Sequence, residues 1–123
     1  MWIHQLRDDT WELLRWKVEH DAWHSDCDSQ VLYGVAQKVR EGTQTLGYGI
    51  TPPAPNRTEQ FYKEYIRDVA TKARDAIYQY KFRDCTLSEA KKAFDNAAER
   101  VAKCSTTDAK ADEDQILFEP ADD

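Results

Sequence analysis

The chain has 123 residues, 17 basic and 23 acidic side chains, and a formal net charge of −6. This size and composition fit one domain with a single core. They exclude a membrane-spanning segment, since no run approaches the ~20 apolar residues required, and they argue against attraction of the whole molecule to nucleic acid. The imbalance lies in residues 105–123, where Asp108, Asp112, Glu113, Asp114, Glu119, Asp122 and Asp123 face only Lys110. Residues 1–104 are then electrically balanced. The expected organisation is a helical domain over 1–104 and an acidic tail over 105–123.

The periodicity is helical almost throughout. Asp9 with Glu12 forms a capping-box pattern that opens a first helix. Trp11, Leu14, Val18 and Ala22 lie on one stripe of it. Residues 25–28 read as a polar break. Asp28 caps a second helix carrying Val31, Leu32, Val35, Ala36 and Val39, and Gly42 is expected to end it in the left-handed conformation. Residues 42–57 form one long Gly/Pro loop, expected to be a stiff crossover. Thr58 opens a third helix with a stripe of Tyr62, Tyr65, Ile66, Val69, Ala73, Ala76 and Tyr80. Thr86 with Glu89 is a second capping box, opening a fourth helix through Leu87, Ala90, Phe94, Ala97, Val101 and Cys104. No segment alternates long enough to argue a strand. The fold class is therefore all-α, a compact bundle of about four helices with a long loop between the second and third.

Cys27, Cys85 and Cys104 are odd in number and widely spaced, which gives no disulfide framework. The N-terminus has neither a basic nor an apolar leader region. Both readings lead to an expected cytoplasmic location.

Four groups of residues are candidates for function. The first is the tail, where Ile116, Leu117 and Phe118 sit among acids that include Asp112, Glu113 and Asp114. An apolar triplet flanked by carboxylates suits docking on a protein with a basic surface. Gln115 to Phe118 also resembles the glutamine-to-phenylalanine peptides that dock on bacterial sliding clamps, one residue short of their usual spacing. The second is a basic stripe on the third helix. Lys63, Arg67, Arg74 and Lys81 fall within about 40° of one another. Lys63 and Arg67 are a like-charge i,i+4 pair, unfavourable on an isolated helix, so the stripe implies an anionic contact.

The third is aromatic. Trp16 and Trp23 lie off the first helix's core stripe, as do Tyr78 and Phe82 on the third. Each pair is either sandwiched in the bundle or an exposed anchor. The fourth surrounds His20. His20 and His24 are an i,i+4 pair, and with Cys27 they are the candidate ligands for a zinc site. Arg15 and His20 are separated by four residues, a spacing that resembles the motif of HEPN-type ribonucleases. That resemblance implies a helical bundle in which Arg15 and His20 act on a scissile phosphate, usually across a dimer. Here Trp16 follows the arginine where a polar residue is typical, and the motif lies early rather than late.

No phosphate-binding glycine loop is present. Gly47-Tyr48-Gly49 lacks the strand-and-helix context of a dinucleotide site, and no cofactor is expected. The favoured function is a non-enzymatic protein-interaction module: an adaptor, an immunity protein or an inhibitor of a nucleic-acid-handling machine. Two rivals remain open. One is a small metal-dependent or HEPN-like ribonuclease using Arg15, His20 and His24. The other is a structural subunit of a phage or secretion assembly.

Overall fold

The computed structural model describes residues 17–79, 82 and 84–113, with the side chains of Asp84 and of 105–113 excepted. The protein is all-α, with four helices and no strand among the described residues. The described part of α1 covers residues 17–23. Then follow α2 (Ser29–Thr45), α3 (Glu59–Gln79) and α4 (Asp84–Glu113).

α2 is the central helix, packed against α4 and α3. Asp28 caps it as the sequence predicts: its carboxylate accepts from the Val31 N–H at 2.9 Å. Leu32, Val35, Ala36 and Val39 are buried on its inner face. Each such side chain contributes roughly 1.5–3 kcal/mol by leaving water. From α1, Val18 and Ala22 join the core. α3 supplies Tyr62, Ile66, Val69, Ala73 and Ala76, and α4 supplies Leu87, Ala90, Phe94, Ala97 and Val101. Thr58 caps α3, its hydroxyl accepting from the Phe61 N–H at 3.0 Å.

Gly42 does not end α2. The helix runs on to Thr45, Leu46 follows as its cap, and Gly47 takes the positive φ of 107°. Gly42 is instead buried where α4 crosses. A Cβ there would lie 2.8 Å from the Phe94 ring and 3.1 Å from the Ala90 carbonyl oxygen. The glycine is there to let two helices approach, not to turn the chain. α4 likewise begins at Asp84, ahead of the expected Thr86, and its backbone continues past Cys104 to Glu113.

The segment between α2 and α3 is tied down by side chains from both. Arg40 Nε donates to the Ile50 carbonyl at 2.9 Å. The Tyr62 and Tyr65 hydroxyls donate to the Ala54 and Thr51 carbonyls, each at 2.6 Å. Pro53 and Ile50 are buried beneath this segment. Loop carbonyls that a helix or sheet would otherwise satisfy are thus satisfied by α2 and α3.

The cysteines correct the sequence reading. Cys27 and Cys104 form a disulfide across a separation of 77 residues, with their Cα atoms 5.5 Å apart. The tertiary fold brings the 24–28 corner against the C-terminal half of α4, a proximity that spacing along the chain does not reveal. Cys85 is the free, exposed cysteine. The reading that the three cysteines give no disulfide fails for Cys27 and Cys104, and with it the cysteine argument for a reducing compartment. No helix among the described residues is long and apolar enough to cross a membrane.

Three measurements follow from this packing. Gly42→Ala is expected to lose about 1–3 kcal/mol through overpacking against Phe94. Gly34→Ala meets only the mobile end of Arg100, at 3.1 Å, and should be neutral or stabilising by up to ~1 kcal/mol from helix propensity. Denaturant titration of the two variants distinguishes these outcomes. Reducing the disulfide, or replacing Cys104 by Ser, is expected to lower stability by about 2–5 kcal/mol. Thermal melts with and without a dithiol reductant report it.

Tyr65 gives a pH signature. Burial is the main influence on its hydroxyl; Arg40 partly offsets it and Asp68 adds to it, and the pKa is pushed up from 10.0 to about 12. A raised tyrosine pKa favours the neutral form in the fold. Its stabilisation is complete below pH 10 and is lost as pH rises through 12. The advantage of wild type over Tyr65→Phe should therefore shrink between pH 10 and 12 in urea titrations.

Candidate functional site

The end of α1 is where the candidate groups meet. The helix stops at a polar corner built on Ser25, which is itself buried. The Ser25 hydroxyl donates to the Ala22 carbonyl at 2.9 Å and accepts from the Cys27 N–H at 3.3 Å. The terminal carbonyls of a helix carry partial negative charge and attract cations. Lys63 of α3 meets this end, its Nζ donating to the Ser25 carbonyl at 3.1 Å. One turn further along α3, the Arg67 guanidinium stacks on Trp23, 4.0 Å from the ring centroid. The like-charge pair Lys63/Arg67 is thus explained within the molecule: both cations hold the end of α1.

Beside this contact lies an open cleft of about 400 Å³, lined by Glu19, His20, Trp23, His24, Arg67 and Arg74. Arg67 and Arg74 come from α3, two turns apart. The imidazoles of His20 and His24 come from the α1 side, their centroids 4.6 Å apart. His20 is exposed, with Nδ1 3.4 Å from Asp21 Oδ1. Asp21 is also bridged to Lys17 at 3.2 Å. Among the described residues neither Arg67 nor Arg74 is paired with a carboxylate. Among the described residues, Glu19 is the one carboxylate on the wall.

The sequence candidates therefore sort as follows. His20, His24, Trp23, Arg67 and Arg74 converge, although the sequence reading placed them in three separate groups. Lys63 lies at the same helix end but is spent on Ser25. Cys27 does not complete a metal set with His20 and His24. It is bonded to Cys104 and buried in the core, while the histidines face solvent. Among the described residues no three His, Cys, Asp or Glu side chains are grouped to hold a metal ion.

Tyr78 is 52 % exposed, whereas Phe82 packs partly against the core. Asp112 and Glu113 fall in the last turn of α4. Arg15, Trp16, Lys81, Asp114, Ile116, Leu117 and Phe118 lie outside the described residues. The sequence reading missed the Lys63–Ser25 contact, the disulfide, and the role of Glu19. The basic stripe and the i,i+4 histidines were the signals for the cleft. What paired them was the antiparallel approach of α1 to α3.

The chain matches no family model, and no match to it is found among curated proteins or solved structures.

Arg67→Ala is expected to shift the Trp23 indole N–H resonance and to cost about 0.5–1 kcal/mol, the worth of an exposed cation–π contact. A heteronuclear spectrum and a denaturant titration check it. Lys17→Ala, an exposed i,i+4 partner of Asp21, should leave that resonance in place.

Proposed function

We propose that the protein is a non-enzymatic interaction module whose α1–α3 cleft receives acidic side chains of a protein partner. The observation that carries this reading is the pair of guanidinium groups, Arg67 and Arg74, that share one cleft and form no ion pair with a carboxylate among the described residues. Two arginines that converge on one cleft concentrate positive charge there, which suits an anionic side chain of a partner. Trp23 and the two imidazoles add flat, amphipathic contact area of the kind that anchors interfaces.

The acidic segment beyond Cys104 fits the same class of activity. Its carboxylates would speed encounter with a partner's basic rim, while contacts in the cleft would set the lifetime of the complex. The module would then meet its partner with both signs of charge.

A second reading has one observation in its favour. His20 lies beside two arginines, an arrangement that also suits a phosphodiester and the HEPN-like assignment. It requires acid–base chemistry at His20, and the nearest carboxylate to that ring, Asp21, is shared with Lys17.

The test is binding of a purified partner to the wild type and to an Arg67→Ala/Arg74→Ala variant, measured by titration. The double variant is expected to bind at least about tenfold more weakly, since hydrogen bonds to charged groups contribute roughly 1.5–3 kcal/mol each. Equal affinity would remove the cleft from the interface. Cleavage of single-stranded RNA by wild type, abolished in His20→Ala, would establish the ribonuclease instead.

A further inference from the structure

The donor set of the cleft selects among anions. We propose that it binds a phosphate monoester carried on a protein side chain, an inference that rests on the cleft being a protein-contact site. Charge is the first argument. Arg67 and Arg74 bring two fixed positive charges to one opening. A side-chain carboxylate brings a single negative charge, whereas a phosphorylated serine, threonine or tyrosine carries about −1.5 to −2 at neutral pH. A monoester therefore matches the two guanidinium groups themselves, Glu19 apart, where one carboxylate leaves half of their charge unmatched.

Geometry is the second. The Arg67 guanidinium lies on the Trp23 ring, so its plane is held and its N–H edge stays available for bidentate contact. Arg74 is two turns away, about 10 Å of helix rise, and its long side chain lines the same cleft. A carboxylate presents two oxygens in one plane and engages one fork. A phosphate presents three terminal oxygens in diverging directions, one for each arginine and one for an imidazole. His20 is suited to that third oxygen. Its Nδ1 faces Asp21, which leaves Nε2 to meet a ligand.

Glu19 is the third. It is a wall residue of the same cleft, and its carboxylate repels an anion that comes beside it. It also works against a polyanion running the full length of the cleft. Nucleic-acid binding gathers its affinity from many phosphates at once. One compact cleft with a carboxylate on its wall, in a chain of net charge −6, suits a single phosphoryl group instead.

The experiment is a heteronuclear titration of the full, disulfide-intact chain with four probes. These are inorganic phosphate, a neutral hexapeptide bearing one phosphoserine, the same peptide with Glu in that place, and a hexaadenylate RNA. Phosphate and the phosphopeptide are expected to shift the side-chain signals of His20, Trp23, His24, Arg67 and Arg74. The phosphopeptide should bind at least about tenfold more tightly than its Glu counterpart. Arg67→Gln and Arg74→Gln should each weaken it by roughly 10- to 100-fold, the loss of a charge-assisted hydrogen bond. Arg67→Lys, keeping the charge but not the fork, should fall between. Glu19→Gln should strengthen binding, an effect that a purely structural role for these residues does not give.

Equal or tighter binding of the Glu peptide would overturn phosphate selectivity and leave the acidic-partner reading standing. Binding of the RNA with neither peptide bound would overturn both. Silence of the cleft signals with every probe at tens of millimolar would also overturn both.

Discussion

The corner between α1 and α2 is held from two sides, and the arrangement of the candidate site follows from that. Cys27 is bonded to Cys104 of α4, and the Ser25 carbonyl receives the Lys63 ammonium of α3. The described part of α1 puts Val18 and Ala22 into the core. Pinned at its end by a covalent bond and a charged hydrogen bond, it presents Glu19, His20, Trp23 and His24 to α3 in a fixed register. The disulfide acts mainly on the unfolded chain, by closing a loop of long sequence separation. Its second effect is local, on the placement of a polar corner whose contribution to the core is Cys27 itself.

The same corner accounts for the charge segregation on α3. A helix carrying like charges at i,i+4 spacing gives up a few tenths of a kcal/mol per pair. Here Lys63 and Arg67 recover that loss by meeting a helix C-terminus and an indole face. Arg74, further along the same stripe, meets neither among the described residues and lines the cleft with Arg67. One row of bases thus divides between Lys63, which holds the Ser25 carbonyl, and the two arginines that line the cleft, and the arginines are what support a reading in terms of an outside anion. Cation–π stacking does not exhaust an arginine, because its in-plane N–H groups remain free for an oxygen ligand.

Packing around α2 shows how size, more than propensity, positions the other helices. Gly42 lies mid-helix at a cost of about 1 kcal/mol in propensity, and the Phe94 ring occupies the space a Cβ would need. The close approach brings α4 down onto α2, which is what carries Cys104 to the level of Cys27. The segment between α2 and α3, tethered by Arg40, Tyr62 and Tyr65, fixes the other side of α2.

The helical character, the break at 25–28, the Asp28 and Thr58 caps and most of the core were legible in the sequence. Each depends on residues within a turn or two of one another, through 3.6-residue periodicity and local hydrogen bonding. The individual members of the cleft were legible too, as a basic stripe and a histidine pair. Their convergence was not. Trp23 meets Arg67, Ser25 meets Lys63 and Cys27 meets Cys104 across long stretches of chain, and no local pattern encodes such distances. Gly42 was misread for the same reason, since a glycine that admits a distant phenylalanine looks, in sequence, like a glycine that ends a helix. Local chemistry determined which residues form helices. Only the packing of those helices decided which polar groups were consumed by the fold and which were left facing a cleft.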